Sequence, residues 1–108
     1  MSGWIGVDLD GTLAFYDGWN GAGQIGDPIP AMAARVRKWL AEGREVRIFT
    51  ARASVPDQVA PVESWCAFHF GVVLKVTNVK DFAMVELWDD RAVQVEPNTG
   101  RRADGKEA

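Results

Sequence analysis

Asp8 and Asp10, separated by one residue, stand at the end of the apolar run Trp4-Ile5-Gly6-Val7. A short apolar run bounded by a turn signal reads as a buried strand. Side chains at i and i+2 share a face of a strand, so the two carboxylates would point together if the strand ran through both. Gly11 signals that the chain is already turning there. Carboxylates crowded at a strand exit repel one another, and a divalent cation, a shared proton or both relieve that repulsion. The demand is chemical rather than one of packing.

Three further strand ends carry groups of matching chemistry. Thr50 follows the expected strand Glu45–Phe49, Lys80 lies in the loop after a third strand, and Asp89 and Asp90 follow Met84–Trp88. In parallel α/β sheets, functional groups gather outside the carboxyl ends of the strands. Carboxylates, a hydroxyl and an ammonium suit phosphoryl transfer, where a cation and fixed donors stabilise charge on the transferred oxygens. A carboxylate can also take the phosphoryl group covalently, dividing one hard displacement into two. Each residue has a plainer reading. Thr50 could cap the strand end, Asp90 could cap the following turn, and Lys75 competes with Lys80 for the ammonium role.

These groups need a scaffold. Alternating apolar runs and helix-period segments predict a βαβ chain with a mostly parallel sheet. The first strand covers about Trp4–Asp8. The clearest helix spans Ala31–Glu42, with Met32, Val36, Trp39 and Leu40 on one face, Pro30 in its first turn and Gly43 at its stop. A second helix falls within Val59–Phe70 and ends at Gly71, with Pro61 either a first-turn residue or a kink. Strands follow at Val72–Val76 and Met84–Trp88, and a short fifth at Ala92–Val95. Residues 14–30, rich in Gly and Pro, form a long loop of a kind rare in compact domains unless functional. Because it begins beside the aspartates, it is expected to fold over the site. Tyr16 and Trp19 on this loop could stack on a base or sugar, or merely anchor it. The core is expected to be residues 1–96, with 97–108 a polar, frayed tail.

Bulk properties narrow the class. The 108 residues are 47% hydrophobic and 25% charged, an ordinary globular balance that fits one domain. A net charge of −3 argues against a general nucleic-acid binder but leaves room for a local basic pocket. No apolar run approaches the ~20 residues of a membrane span, and the N-terminus lacks a basic region followed by an apolar block. The single cysteine, Cys66, excludes an internal disulfide and fits a reducing cytoplasm. His69 reads as a helix-end residue favoured by the dipole.

In motif order the chain resembles the haloacid dehalogenase-like superfamily. The matching segments are Asp8-Leu9-Asp10-Gly11-Thr12, Phe49-Thr50-Ala51-Arg52, Lys80 in Thr77-Asn78-Val79-Lys80-Asp81, and Trp88-Asp89-Asp90-Arg91. The resemblance covers about residues 3–95 and implies a three-layer α/β/α Rossmann-like core. It implies a phosphatase in which Asp8 is the nucleophile and Asp10 the general acid and base. Mg2+ would be held by Asp8, the Asp10 backbone carbonyl and Asp89, with Asp90 in support. Thr50 would hydrogen-bond a phosphoryl oxygen and Lys80 would neutralise the phosphate. Thr12, Arg52, Tyr16 and Trp19 are the expected substrate contacts, although Arg52 and Arg91 could equally be solvated surface residues.

Two departures from the family pattern stand out. Only eight residues separate Lys80 from Asp89, leaving little room for a helix between them. Neither usual insertion point has room for a cap domain, so the site is expected to be open, closed by loop 14–30 or by a partner subunit in a homo-oligomer. The Asp89-Asp90-Arg91 ending is also similar to the phosphatase half of phage polynucleotide kinase-phosphatases, which implies a nucleotide or nucleic-acid phosphate end as one substrate. Two competing functions remain: a receiver-like signalling domain that holds phosphate without turnover, and a non-catalytic binding subunit with a relic site.

Overall fold

The computed structural model describes residues 2–106. Trp4–Val7 forms β1, buried along its whole length. Pro30–Ala41 forms α1, and Glu45–Phe49 forms β2. A 3₁₀ turn at Ala51–Ser54 leads into α2, Pro56–Phe70. Lys75–Thr77 is β3 and Met84–Trp88 is β4. All four strands are parallel, in the order β3-β2-β1-β4. The described residues therefore form an α/β domain with an all-parallel sheet and two α-helices.

Both helices pack on one face of the sheet. Ile5, Val7, Val46 and Ile48 join Met32, Ala33 and Val36 of α1 and Val62, Trp65 and Cys66 of α2 in one buried cluster. Stepping from β1 to β2 to β3 in one direction with right-handed crossovers puts both helices on the same side. α1 starts with Pro30, whose fixed φ suits a first turn, and Gly71 closes α2 at φ 76. Trp39 and Trp88 meet at 5.4 Å, fastening α1 to the edge strand β4.

The other face is covered differently. Trp4 is fully buried there, stacked on Phe49 at 6.4 Å and beneath the Arg47 guanidinium at 4.4 Å. Its indole N–H donates to Asp81 at 2.8 Å, and Asp81 also meets Arg47 at 3.5 Å. Residues 78–83 thus bring the chain from one sheet edge to the other without a helix.

Three expected boundaries move. β3 begins at Lys75 rather than Val72, because only Arg47, Ile48 and Phe49 of β2 offer it partners. α2 begins at Pro56, before Pro61, which sits inside the helix. Ala92–Val95 forms no strand, since no sheet edge pairs with it. Val95 instead bridges Arg102, and Glu96 and Arg101 are joined by a backbone hydrogen bond and an ion pair, so the expected frayed tail folds back on residues 94–96. No helix among the described residues is long and apolar enough to cross a membrane.

Candidate active site

The pairing of β1 with β4 builds the site. Val7 is registered against Trp88, and the Asp8 amide donates to the Trp88 carbonyl at 2.9 Å. The next residues on the two strands, Asp8 and Asp89, therefore leave the sheet side by side. One carboxylate oxygen from each of Asp8, Asp89 and Asp90 lies within 4.8 Å of the other two. Asp8 and Asp89, 81 positions apart in sequence, converge because their strands are neighbours.

The chain turns sharply after Asp8. The Leu9 carbonyl accepts from the amides of Thr12, Leu13 and Ala14, and Gly11 takes φ +91, a region L-residues rarely occupy. This turn places Thr12 Oγ1 3.2 Å from Asp8 and 3.1 Å from Asp90, while the Asp90 amide donates to the same oxygen at 2.9 Å. One hydroxyl proton thus serves two carboxylates.

Crowding shows in the electrostatics. Burial, the Asp90 carboxyl and the Asp89 charge push the Asp8 carboxyl up to about 7, against a smaller opposing effect of Thr12. Burial acts against ionisation of Asp90 too, but the hydrogen bonds from Asp8 and Thr12 outweigh it and hold that carboxyl low. The two groups behave as a pair sharing one proton.

Asp10 does not join this trio. Its carboxylate turns to Arg52, whose Nε and Nη2 donate to its two oxygens at 2.8 and 2.9 Å. Arg52 is 4% exposed, so the surface alternative for this residue is set aside. Its guanidinium also donates to the carbonyls of Ala22 at 3.0 Å and Gln24 at 3.2 Å, and it lies 4.8 Å from the Trp19 ring. Loop 14–30 therefore reaches the site.

A cleft of about 470 Å³ opens here, lined by Asp8, Asp10, Asp89, Thr50, Arg52 and Arg91, with Tyr16 and Trp19 from the loop and Phe49 and Gln58 opposite. Thr50 does cap: its oxygen accepts from the Arg52 amide at 3.2 Å, which leaves its O–H free to donate into the cleft. Lys80 is exposed on the loop after β3 and does not line the cleft, while Lys75 stands at the opposite end of β3. Sequence reasoning missed Gln58 and Phe49 as lining residues. It also missed the Arg52–Asp10 pairing, for which the only signal was two unlike charges at neighbouring strand ends. The chain matches no protein-family model, no curated protein and no solved structure.

Proposed function

We propose that the protein is a Mg2+-dependent phosphomonoesterase acting through an aspartyl-phosphate on Asp8. The observation that carries this reading is the convergence of Asp8, Asp89 and Asp90 within 4.8 Å at a cleft that also holds Thr50 and two arginines. The donor set fits a hard cation. Its side chains are all carboxylates, one of them resists ionisation without a counter-charge, and the Asp10 carbonyl accepts no hydrogen bond among the described residues. Asp8, Asp89 and the Asp10 carbonyl would hold Mg2+, with Asp90 steadying the set. Bound there, the ion would offset the charge of the carboxylates and of the phosphoryl oxygens.

The residues of the chain divide the remaining work. An Asp8 oxygen attacks phosphorus and forms an O–P bond as the ester P–O bond breaks; the leaving oxygen takes its proton from the Asp10 carboxyl. Water then attacks the same phosphorus and passes a proton to the Asp10 carboxylate, and the Asp8–phosphorus bond breaks to release phosphate. Thr50 donates its hydroxyl to a phosphoryl oxygen, and Lys80, which stands outside the cleft wall, would swing in from the loop after β3 to balance charge. In this reading the domain is a capless haloacid dehalogenase-like core. It is a reduced form of the three-layer α/β/α architecture in which residues 78–83 stand in for the second helical layer. A buried lone Cys66 fits a cytoplasmic enzyme.

The test is a panel of sugar phosphates, nucleotides and phosphorylated oligonucleotides incubated with Mg2+. Hydrolysis of at least one, lost on chelation and in Asp8→Asn, is the expected result. Hydrolysis that survives either change removes the reading. Phosphate retained on the protein without turnover would instead favour a receiver-like domain.

A further inference from the structure

We propose that Arg52 is a positioning residue that orients Asp10 and, through the same guanidinium, closes residues 16–24 over the cleft in place of a cap domain. The catalytic half of this inference rests on the phosphatase reading above; the loop-closing half does not.

The guanidinium has five N–H donors, and four are in use. Two fork onto Asp10, one reaches the Ala22 carbonyl and one the Gln24 carbonyl. Its Cζ lies over the Trp19 ring, 4.8 Å from the ring centre. Among the described residues, every hydrogen bond from residues 16–24 to the rest of the molecule ends on Arg52. The others, Asn20 to Asp17 and Gly18 and Gln24 to Gly21, stay within the loop. The base of the loop is anchored separately, by Phe15 to Asp27 and by the Trp65 indole to the Gly26 carbonyl. Loop closure and Asp10 orientation therefore depend on one side chain.

The geometry matters for chemistry because a bidentate fork fixes the plane of a carboxylate, which a point charge does not. It uses one lone pair on each Asp10 oxygen and leaves one on each for a proton. A carboxyl that must protonate a leaving oxygen gains most from such fixed placement when that oxygen is a poor leaving group. Arg52 also stands at the cleft wall, so a lid drawn down by it would exclude water where the charge develops.

Two experiments test this. The first compares kcat and KM of wild type, Arg52→Lys and Arg52→Gln on p-nitrophenyl phosphate, whose leaving group needs no proton, and on a simple alkyl phosphate, whose leaving group does. A loss in kcat/KM, which reports the step in which the leaving group departs, about tenfold larger on the alkyl ester and without rescue by lysine, is expected. Equal losses on both esters, or full rescue by Arg52→Lys, would reduce Arg52 to a phosphate-attracting charge and overturn the positioning role. The second uses Asp10→Asn, a near-isosteric change that breaks the fork at a residue with no hydrogen bond to residues 16–24, so it serves even where an Arg52 variant fails to fold. Chymotryptic cleavage after Tyr16 or Trp19 should run about tenfold faster than in wild type, with the rest of the chain equally resistant. Unchanged cleavage would overturn the coupling between Asp10 and the loop. Because this readout needs no turnover, an inactive wild type would retire the phosphatase reading while the loop coupling was still decided.

Discussion

Thr12 and Asp90, 78 residues apart, hold each other twice: the Asp90 amide donates to Thr12 Oγ1 at 2.9 Å, and that hydroxyl lies 3.1 Å from Asp90 Oδ1. The same oxygen is 3.2 Å from Asp8. A single small side chain therefore ties the turn after β1 to the turn after β4. It also holds two carboxylates at a spacing they would not choose by themselves.

Replacing that hydroxyl should separate fold from site. Thr12→Val keeps the shape but leaves the Asp90 amide without its acceptor and removes the proton between the carboxylates. A stability loss of about 1 kcal/mol is expected in urea titrations, at the low end because the amide can reach water. Thr12→Ser should recover most of it. The Val variant should also bind Mg2+ more weakly, since Asp8 and Asp90 are freed to move apart.

The Asp8 carboxyl, at about 7 against 3.8 for the free side chain, makes metal-free stability fall with pH. Between those values the folded chain holds a proton that the unfolded chain has lost, so each step up in pH favours unfolding until about pH 7. Three units would carry about 4 kcal/mol if wholly desolvated, and half that or less is expected at a half-buried site. The depressed Asp90 carboxyl works in the other direction. Its contribution is present above the ordinary Asp value and is lost as pH falls through its lower folded one. Melting temperature without metal should thus be highest near pH 4–5 and decline toward pH 7. Added Mg2+ should raise it far more at pH 8 than at pH 5. Asp8→Asn should flatten the decline, and a profile that rises from pH 5 to 7 would contradict the crowding.

The sheet was legible because its strands are bounded by local signals. Trp4–Val7 is an apolar run, and Glu45–Phe49 and Met84–Trp88 are short, mainly apolar segments interrupted by Glu45, Arg47 and Glu86; they stop at an acid, a threonine and an acid, and the pairing of their ends needed only the rule for parallel sheets. Val72-Val73-Leu74 misled because apolar content cannot tell a strand from a connector. Val72 and Val73 are exposed, and β3 is confined to the three residues β2 can pair. The start of α2 was hidden because Val55 supplies no side-chain cap and Pro61 lies within the helix, so neither signal marks its first turn. Ala92–Val95 has strand-like residues but pairs with neither sheet edge, and pairing is not encoded locally.

The site divides along the same line. Asp8, Asp89 and Asp90 could be placed together from strand ends alone. The partner of Asp10 could not, because the Arg52 pairing depends on how the 3₁₀ turn after β2 projects its second residue toward β1. Two groups 42 residues apart, each polar and each at a strand end, carry no mark of mutual choice.

Neither lysine lines the cleft, and strand direction favours Lys80 over Lys75. β3 runs from Lys75 to Thr77, and its carboxyl end faces the cleft side of the sheet through the Thr50 amide, which donates to the Thr77 carbonyl at 2.9 Å. Lys80 lies three residues beyond that end, whereas Lys75 sits at the far one. Lys80→Ala should lower kcat/KM by about a hundredfold, the scale of losing one charge-stabilising donor. Lys75→Ala should stay within about threefold. The reverse order in steady-state kinetics would make Lys75 the site lysine.

Gly11 offers the sharpest separation of conformational strain from site geometry. It stands at φ +91, and a Cβ built there would meet Asp90 Oδ2 at 2.7 Å and Cγ at 3.0 Å. Gly43, at φ +78 after α1, has the same conformational need but no atom within 4 Å of its missing Cβ. Alanine at either position should cost about 1–2 kcal/mol for the left-handed backbone. Only Gly11→Ala must also push the Asp90 carboxylate out of the trio, because that carboxylate is what blocks the new methyl group. Calorimetric titration should show Mg2+ affinity reduced about tenfold or more in Gly11→Ala and unchanged in Gly43→Ala. Equal affinities in the two variants would place the cation somewhere other than between the carboxylates that β1 and β4 bring together.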